Sequence, residues 1–309
     1  MTKCRFLFSI SSLLLIGMLG SMGALASVNT VNSKLDDGLN NPLIPNDTLT
    51  YKFLSKGELK LYVFYPQGIK PVVAQGATAL KRTAIVHFFG GGWTGGSPKQ
   101  FYSQCAFYAA HGIVAISVDY RVQSRQHTTP FECVKDGKSA IRWVRSHAAL
   151  LGVDPDMIIA SGGSAGGHVA ACTALIKGHD DISDDLSVSC VPAALVLFNP
   201  VLDTTPKGYG SGKVKGRETE ISPNHHITEG LPPTILFHGT SDHTVPFANA
   251  TFFANTMREK GNVCTFFPIK GADHGFFNSH AFKESSDNTN FDFTMKESLK
   301  FLKELNMVK

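Results

Sequence analysis

The chain has 309 residues, 43% of them apolar and 17% charged, with 29 Lys and Arg against 25 Asp and Glu for a formal charge of +4. That apolar content excludes a disordered chain, and the near balance of charge excludes a broad basic surface for nucleic acid. Beyond the N-terminus no apolar run approaches the ~18 residues that a membrane helix needs, so a multi-span membrane protein is excluded.

Residues 1–26 read as a secretory signal. Lys3 and Arg5 precede a mostly apolar stretch from Phe6 to Leu19, and Ala24-Leu25-Ala26 has the small-x-small form of a cleavage site. An N-terminal membrane anchor is the alternative, but the stretch is short for one. The expected location is therefore secreted or periplasmic, with no stable membrane insertion after removal of the signal. In that oxidising space Cys105, Cys133, Cys172, Cys190 and Cys264 remain. Cys105 with Cys133, or Cys172 with Cys190, are candidate bridges, and buried free thiols are the alternative. No C-x-x-C occurs, so a zinc ribbon or redox motif has no support.

Residues 27–47 are rich in Asn, Ser, Asp and Pro and read as a loose lead-in to one domain at 48–309. Thr48–Leu54 and Leu59–Tyr65 are strand-like and suggest a strand pair. Residues 66–80 read as a loop. Buried parallel strands are then expected at Thr83–Phe89, Ile113–Val118, Met157–Ser161, Ala194–Asn199, Thr234–Gly239 and Val263–Ile269. Helices are expected at Lys99–His111, Val134–Leu151, Ala165–Lys177, Pro246–Lys260 and Asn290–Leu305. This alternation predicts an α/β fold, a mostly parallel eight-stranded sheet flanked by helices on both faces. Residues 203–230 are longer and more polar than a simple crossover, and read as an insertion over the strand ends, where open α/β sheets bind ligands.

Gly162-Gly163-Ser164-Ala165-Gly166 fits G-x-S-x-G between an apolar strand and a helix. On such a turn the serine side chain projects from the sheet edge, and the helix start directs its partial positive charge at it. The pattern is weak alone and strong in this setting. No Gly-Lys-Ser/Thr follows, so it is not a phosphate loop. A serine hydroxyl needs a base to take its proton, and the base needs an orienting carboxylate. Asp242 falls just past the strand at Thr234–Gly239, and His274 just past the strand at Val263–Ile269. Ser164, Asp242 and His274 are thus the candidate catalytic residues at one sheet edge. Asp203 is the fallback carboxylate, whereas Asp273 should point away from His274 into solvent. Of the other histidines, His87 lies within a strand, and His168 lies one turn into the helix as a packing or hydrogen-bonding residue. His225 and His226 lie in the insertion, where they can line the pocket. At Gly90-Gly91-Gly92-Trp93 consecutive glycines let backbone N–H groups turn into the site without clash. Gly91, Gly92 and Ala165 are the candidate oxyanion donors.

These residues, Gly90 to Trp93, Gly162 to Gly166, Asp242 and His274, resemble the α/β-hydrolase superfamily. More narrowly, they resemble its Gly-Gly-Gly-Trp esterases, which are similar to carboxylesterases and acetyl-xylan or feruloyl esterases. The likeness runs from about residue 50 to 305, and Asp119-Tyr120-Arg121 and Ser222-Pro223-Asn224-His225 share it. Asp119 and Arg121 read as loop-fixing residues. The chain departs from the pattern at Phe89, where the family usually has His directly before the glycines and where His87 lies two positions earlier. The resemblance implies an exported serine esterase for small-molecule or carbohydrate esters, using no metal or organic cofactor. A short-chain carboxylesterase is the nearest alternative. A serine peptidase and a non-catalytic binding protein are the more distant ones.

Overall fold

The computed structural model describes residues 43–67 and 81–308. The expected signal at 1–26 and most of the lead-in lie outside them. The described residues belong to one compact unit, Asn41–Lys309.

The eight strands are β1 (Asp47–Phe53), β2 (Glu58–Phe64), β3 (Arg82–Phe88), β4 (Val114–Val118), β5 (Val153–Gly163), β6 (Ala194–Phe198), β7 (Thr234–Gly239) and β8 (Cys264–Ile269). They form one sheet in the order β1-β2-β4-β3-β5-β6-β7-β8. β2 runs antiparallel to both β1 and β4, and the pairs from β4 through β8 are parallel. The helices are α1 (Tyr102–Ala110), α2 (Gln123–Gln126), α3 (Pro130–Ser146), α4 (Ala148–Leu151), α5 (Ala165–Leu175), α6 (Phe247–Glu259) and α7 (Thr289–Glu304). α1 packs on β4 and α7, whereas α3 packs on β5 and α5. The helices therefore cover both faces, as right-handed crossovers on either side of β3 require. This is the α/β-hydrolase fold.

The central strands are apolar on both faces because both faces are covered. β4 and β6 are buried along their whole length. Phe198, Phe237 and Phe277 stack beneath the sheet edge, with Phe198 and Phe277 centroids 5.3 Å apart and Phe198 and Phe237 centroids 5.6 Å apart. Burying each ring stabilises the fold by roughly 1.5–3 kcal/mol. Two elements begin earlier than the apolar pattern suggests. β5 starts at Val153 rather than Met157. α3 starts at Pro130 rather than Val134, because Thr129 and Glu132 form a capping box and proline is preorganised for the first helical turn.

The chain leaves β3 toward β4 on one side and is joined by β5 on the other. The crevice at the carboxyl ends of β3 and β5 is thus the point where the strand order reverses, which is where such sheets place ligands.

Candidate active site

Ser164 is the single residue between the last residue of β5 and the first of α5. Its backbone lies at φ 56° and ψ −122°, a strained conformation for a side chain that costs on the order of 1–3 kcal/mol. Neighbouring backbone holds it there. Ser164 N–H donates to the Phe198 carbonyl at 3.0 Å, and the Ser164 carbonyl accepts from Val201 N–H at 3.2 Å. The turn passes so close to β3 that a Cβ on Gly166 would collide with the Phe88 and Phe89 carbonyls.

His274 follows β8 and bridges the other two predicted residues. Its Nε2 lies 2.9 Å from Ser164 Oγ, and its Nδ1 lies 2.8 Å from Asp242 Oδ2. A carboxylate only accepts, so Nδ1 carries the ring proton and the Nε2 lone pair faces the serine hydroxyl. The Asp242 side chain is fully buried and that of His274 about one-fifth exposed. Thr244 and Val245 N–H groups each donate to Asp242 Oδ1 at 2.8 Å. Burial alone would raise the Asp242 pKa. Hydrogen bonds from His238, His274 and Val245 outweigh burial and hold the carboxyl well below the usual carboxylate range. Asp242 is therefore ionised.

The glycine loop proposed from the sequence to hold the oxyanion follows β3. Gly91 adopts φ 127°, which favours glycine. Gly90 N–H is occupied, donating to Gln100 Oε1 at 2.6 Å. Gly91 and Gly92 line the cavity with Ser164. Ala165 opens α5, and the first N–H of a helix has no intrahelical acceptor. The cavity measures about 250 Å³ and is walled also by Gln100, Tyr209, Phe277 and Asn278.

The remaining sequence candidates sort cleanly. Asp203 Oδ1 accepts from Thr205 N–H at 2.7 Å, within its own loop. Asp273 accepts from the N–H groups of His243 and His274 and is exposed, turned away from the imidazole. His225 and His226 do not line the Ser164 cavity. Their rings are bonded inside the insertion, to Ser222 Oγ and the Thr219 carbonyl, both at 2.8 Å, so the expectation that they can line the pocket is corrected. The insertion reaches the cavity through Tyr209 instead. Among the described residues no group of three or more His, Cys, Asp or Glu side chains could hold a metal. The same residues include no helix long and apolar enough to cross a membrane.

Where the family has His, the Phe89 ring stacks on Tyr120 at 4.2 Å, and Tyr120 OH donates to the Phe89 carbonyl at 2.5 Å. His87 is fully buried, stacked on Phe101 and Tyr108, and burial pushes its pKa down to about 3. It stays neutral and takes no part in the loop.

Comparison with known proteins agrees with this geometry. Residues 73–205 match the BD-FAE family. The apo form of Thermogutta terrifontis esterase 2 is 45% identical, with a TM-score of 0.78 over 85% of this chain and 96% of that one. The chain belongs to the α/β-hydrolase esterases. Esterase LipC of Mycobacterium tuberculosis is 29% identical over 60% of this chain and 51% of its own length. An acetylxylan esterase of Xylanibacter ruminicola is 26% identical over 62% of this chain and 41% of its own. The chain thus spans about half the length of the curated relatives it matches.

Within this hydrolase site, four residues escape sequence reasoning. Gln100 Nε2 donates to Asn278 Oδ1 at 3.0 Å, tying the glycine loop to the loop that carries His274. Asn199 Nδ2 lies 3.0 Å from His274 Nδ1 and 3.2 Å from Nε2, against the ring. His238 Nε2 sits 3.1 Å from Asp242 Oδ2 and 3.0 Å from the Val245 carbonyl. Both are acceptors, so that nitrogen carries a proton. His238 stands four residues before Asp242, and that spacing was a usable signal. Gln100 and Asn278 are 178 residues apart and offered none.

Proposed function

We propose that the protein is a serine carboxylesterase for short acyl esters, with Ser164 as nucleophile, His274 as general base and acid, and Asp242 as the orienting carboxylate. The observation that carries this reading is His274 bridging Ser164 Oγ and Asp242 Oδ2 within hydrogen-bond reach of both. As Ser164 Oγ bonds to the acyl carbon, its proton passes to His274 Nε2. Negative charge gathers on the former carbonyl oxygen, where the N–H groups of Gly91, Gly92 and Ala165 receive it. Each such donor contributes about 2.7–4 kcal/mol in the transition state. The proton then leaves on the alcohol as the C–O bond breaks. Water enters and loses a proton to His274 as its oxygen bonds to the acyl carbon, and the acid leaves as the Ser164 Oγ–acyl bond breaks and His274 returns the proton to Oγ. Ionised Asp242 stabilises the imidazolium in both halves.

The small cavity supports a short acyl group. Forms of Thermogutta terrifontis esterase 2 with propionate and with butyrate bound support the same size. The likeness to an acetylxylan esterase supports acetyl groups on a polysaccharide as the substrate, and the apolar leader supports export. The test is Ser164→Ala assayed on 4-nitrophenyl acetate. Hydrolysis should fall by about 10⁴-fold or more, and retained activity would end the mechanism. Paraoxon, which phosphorylates the Thermogutta enzyme, should inactivate the parent and leave no adduct on the alanine variant. Acetate release from acetylated xylan, compared with the nitrophenyl ester, separates a polysaccharide esterase from a general one.

A further inference from the structure

A second cavity, of about 420 Å³, lies beside the insertion and away from Ser164. Three separate segments build it: the start of α3, the stretch after α5 and the insertion. Lys135, Lys213, Lys215 and Arg217 line it together with His179, and the acidic side chain among the lining residues is Glu132. Glu132 is already committed, since its Oε2 accepts from Thr129 N–H at 2.8 Å and Thr129 Oγ1 at 2.6 Å. Arg217 is paired to Glu220 at 2.6 Å. Lys135 and Lys215 carry no ion pair to any of the described residues. The chain as a whole is only +4, so this is a local concentration of positive charge. Burial lowers the His179 pKa, Glu220 opposes this, and Arg217, Lys138 and Lys135 add smaller contributions in the direction of burial.

One residue connects this cavity to the catalytic one. Lys213 lines the basic cavity, and its ammonium donates to the Gly92 carbonyl and to Thr94 Oγ1, each at 2.7 Å. Gly92 is itself part of the wall around Ser164. A polymer with its ester at Ser164 therefore has a cationic recess next to the oxyanion loop.

We propose that this recess is a subsite for an anionic sugar residue, a uronate carboxylate, carried by the same polysaccharide whose ester enters the Ser164 cavity. The inference rests on the polysaccharide reading of the function. Lys135 and Lys215 supply unpaired charge to the carboxylate, and Lys213 couples the bound sugar to the oxyanion loop, whereas the Arg217 fork is held by Glu220. A neutral acyl ester gains nothing from the recess. A charged glycan gains affinity that falls as salt rises.

The test titrates the full chain calorimetrically with a glucuronate-branched xylo-oligosaccharide that bears no ester, with its unbranched neutral counterpart, and with inorganic phosphate. The charged sugar should bind about tenfold more tightly than the neutral one at low salt, and the margin should shrink at high salt. The Lys135→Glu/Lys215→Glu double variant should lose that margin while melting at the parent's temperature. Lys135→Ala/Lys215→Ala serves if the charge reversal does not fold. Equal binding of the two sugars, an undiminished margin in a folded double variant, or phosphate binding with no sugar preference would overturn the proposal. Because no ester is cleaved in these titrations, their failure is separate from a failure of the esterase mechanism, which the Ser164→Ala assay reads.

Discussion

Asp242 and Asp136 both have side chains fully withdrawn from solvent, yet their partners differ in kind. Asp136 meets permanent cations. Arg121 grips it with Nε and Nη2, both at 2.7 Å, and Lys52 adds a contact at 2.8 Å. Asp181 completes the group, 2.6 Å from Lys52 and 3.4 Å from Arg121. This cluster is neutral as built and ties β1 and the end of β4 to α3. Asp242 instead meets two histidines and two backbone N–H groups, with no Lys or Arg in contact among the described residues. Its charge is balanced only when an imidazole takes up a proton. A buried carboxylate whose counter-ion is fixed holds a fold together. One whose counter-ion appears and vanishes can serve a reaction cycle.

The contrast breaks if the two carboxylates respond alike to neutralisation. Asp242→Asn should lower kcat on 4-nitrophenyl acetate by about 10⁴-fold through loss of the correct His274 tautomer, with little change in the melting temperature. Asp136→Asn leaves Lys52 and Arg121 sharing the single counter-charge of Asp181. It should cost about 3–5 kcal/mol in urea unfolding while the folded fraction keeps its kcat. An activity loss in the second variant, or a collapse of stability in the first, would erase the distinction. A smaller effect is expected at His238. His238→Phe removes a donor to Asp242 and should cut kcat by roughly tenfold, about the worth of one hydrogen bond to a charged group, with KM unchanged. Acid titration sharpens the comparison from the other side. Burial would raise the Asp181 pKa, but the bonds from Lys52 and Ser183 outweigh it and hold the group below its ordinary 3.8. A depressed pKa contributes stability that is complete well above 3.8 and is lost as pH falls through 3.8 toward the lower folded value. Asp181→Asn should therefore flatten the acid limb of a stability–pH profile and leave the neutral region less stable than the parent. An unchanged acid limb would show that Asp181 is not a contributor.

The hydrogen-bonded Ser164–His274–Asp242 side of this comparison was legible in the sequence because its residues sit at strand ends inside short motifs. G-x-S-x-G located Ser164, and the strand periods located Asp242 and His274, since each lies where an apolar run stops. The structural side was not legible. Lys52 lies in an alternating strand, and Asp136 lies 84 residues away within a helix. Pairing them requires the sheet order, in which β4 separates β2 from β3, and no local pattern encodes that. The same limit hid Gln100, whose Oε1 accepts from Gly90 N–H. It also hid the role of Lys213, because an exposed lysine in a polar insertion looks solvated until the fold carries it to Gly92.

Cys105, Cys133, Cys172, Cys190 and Cys264 are all buried and unpaired, so neither candidate bridge forms. Burial pushes each thiol pKa up, that of Cys264 to about 11. Thiols held in that state are poor nucleophiles and poor targets for oxidants. The domain accordingly reaches its native state without thiol chemistry. It should fold as well in a reducing host cytosol as in an oxidising culture medium, need neither an oxidase nor an isomerase, and keep its activity in the presence of dithiothreitol.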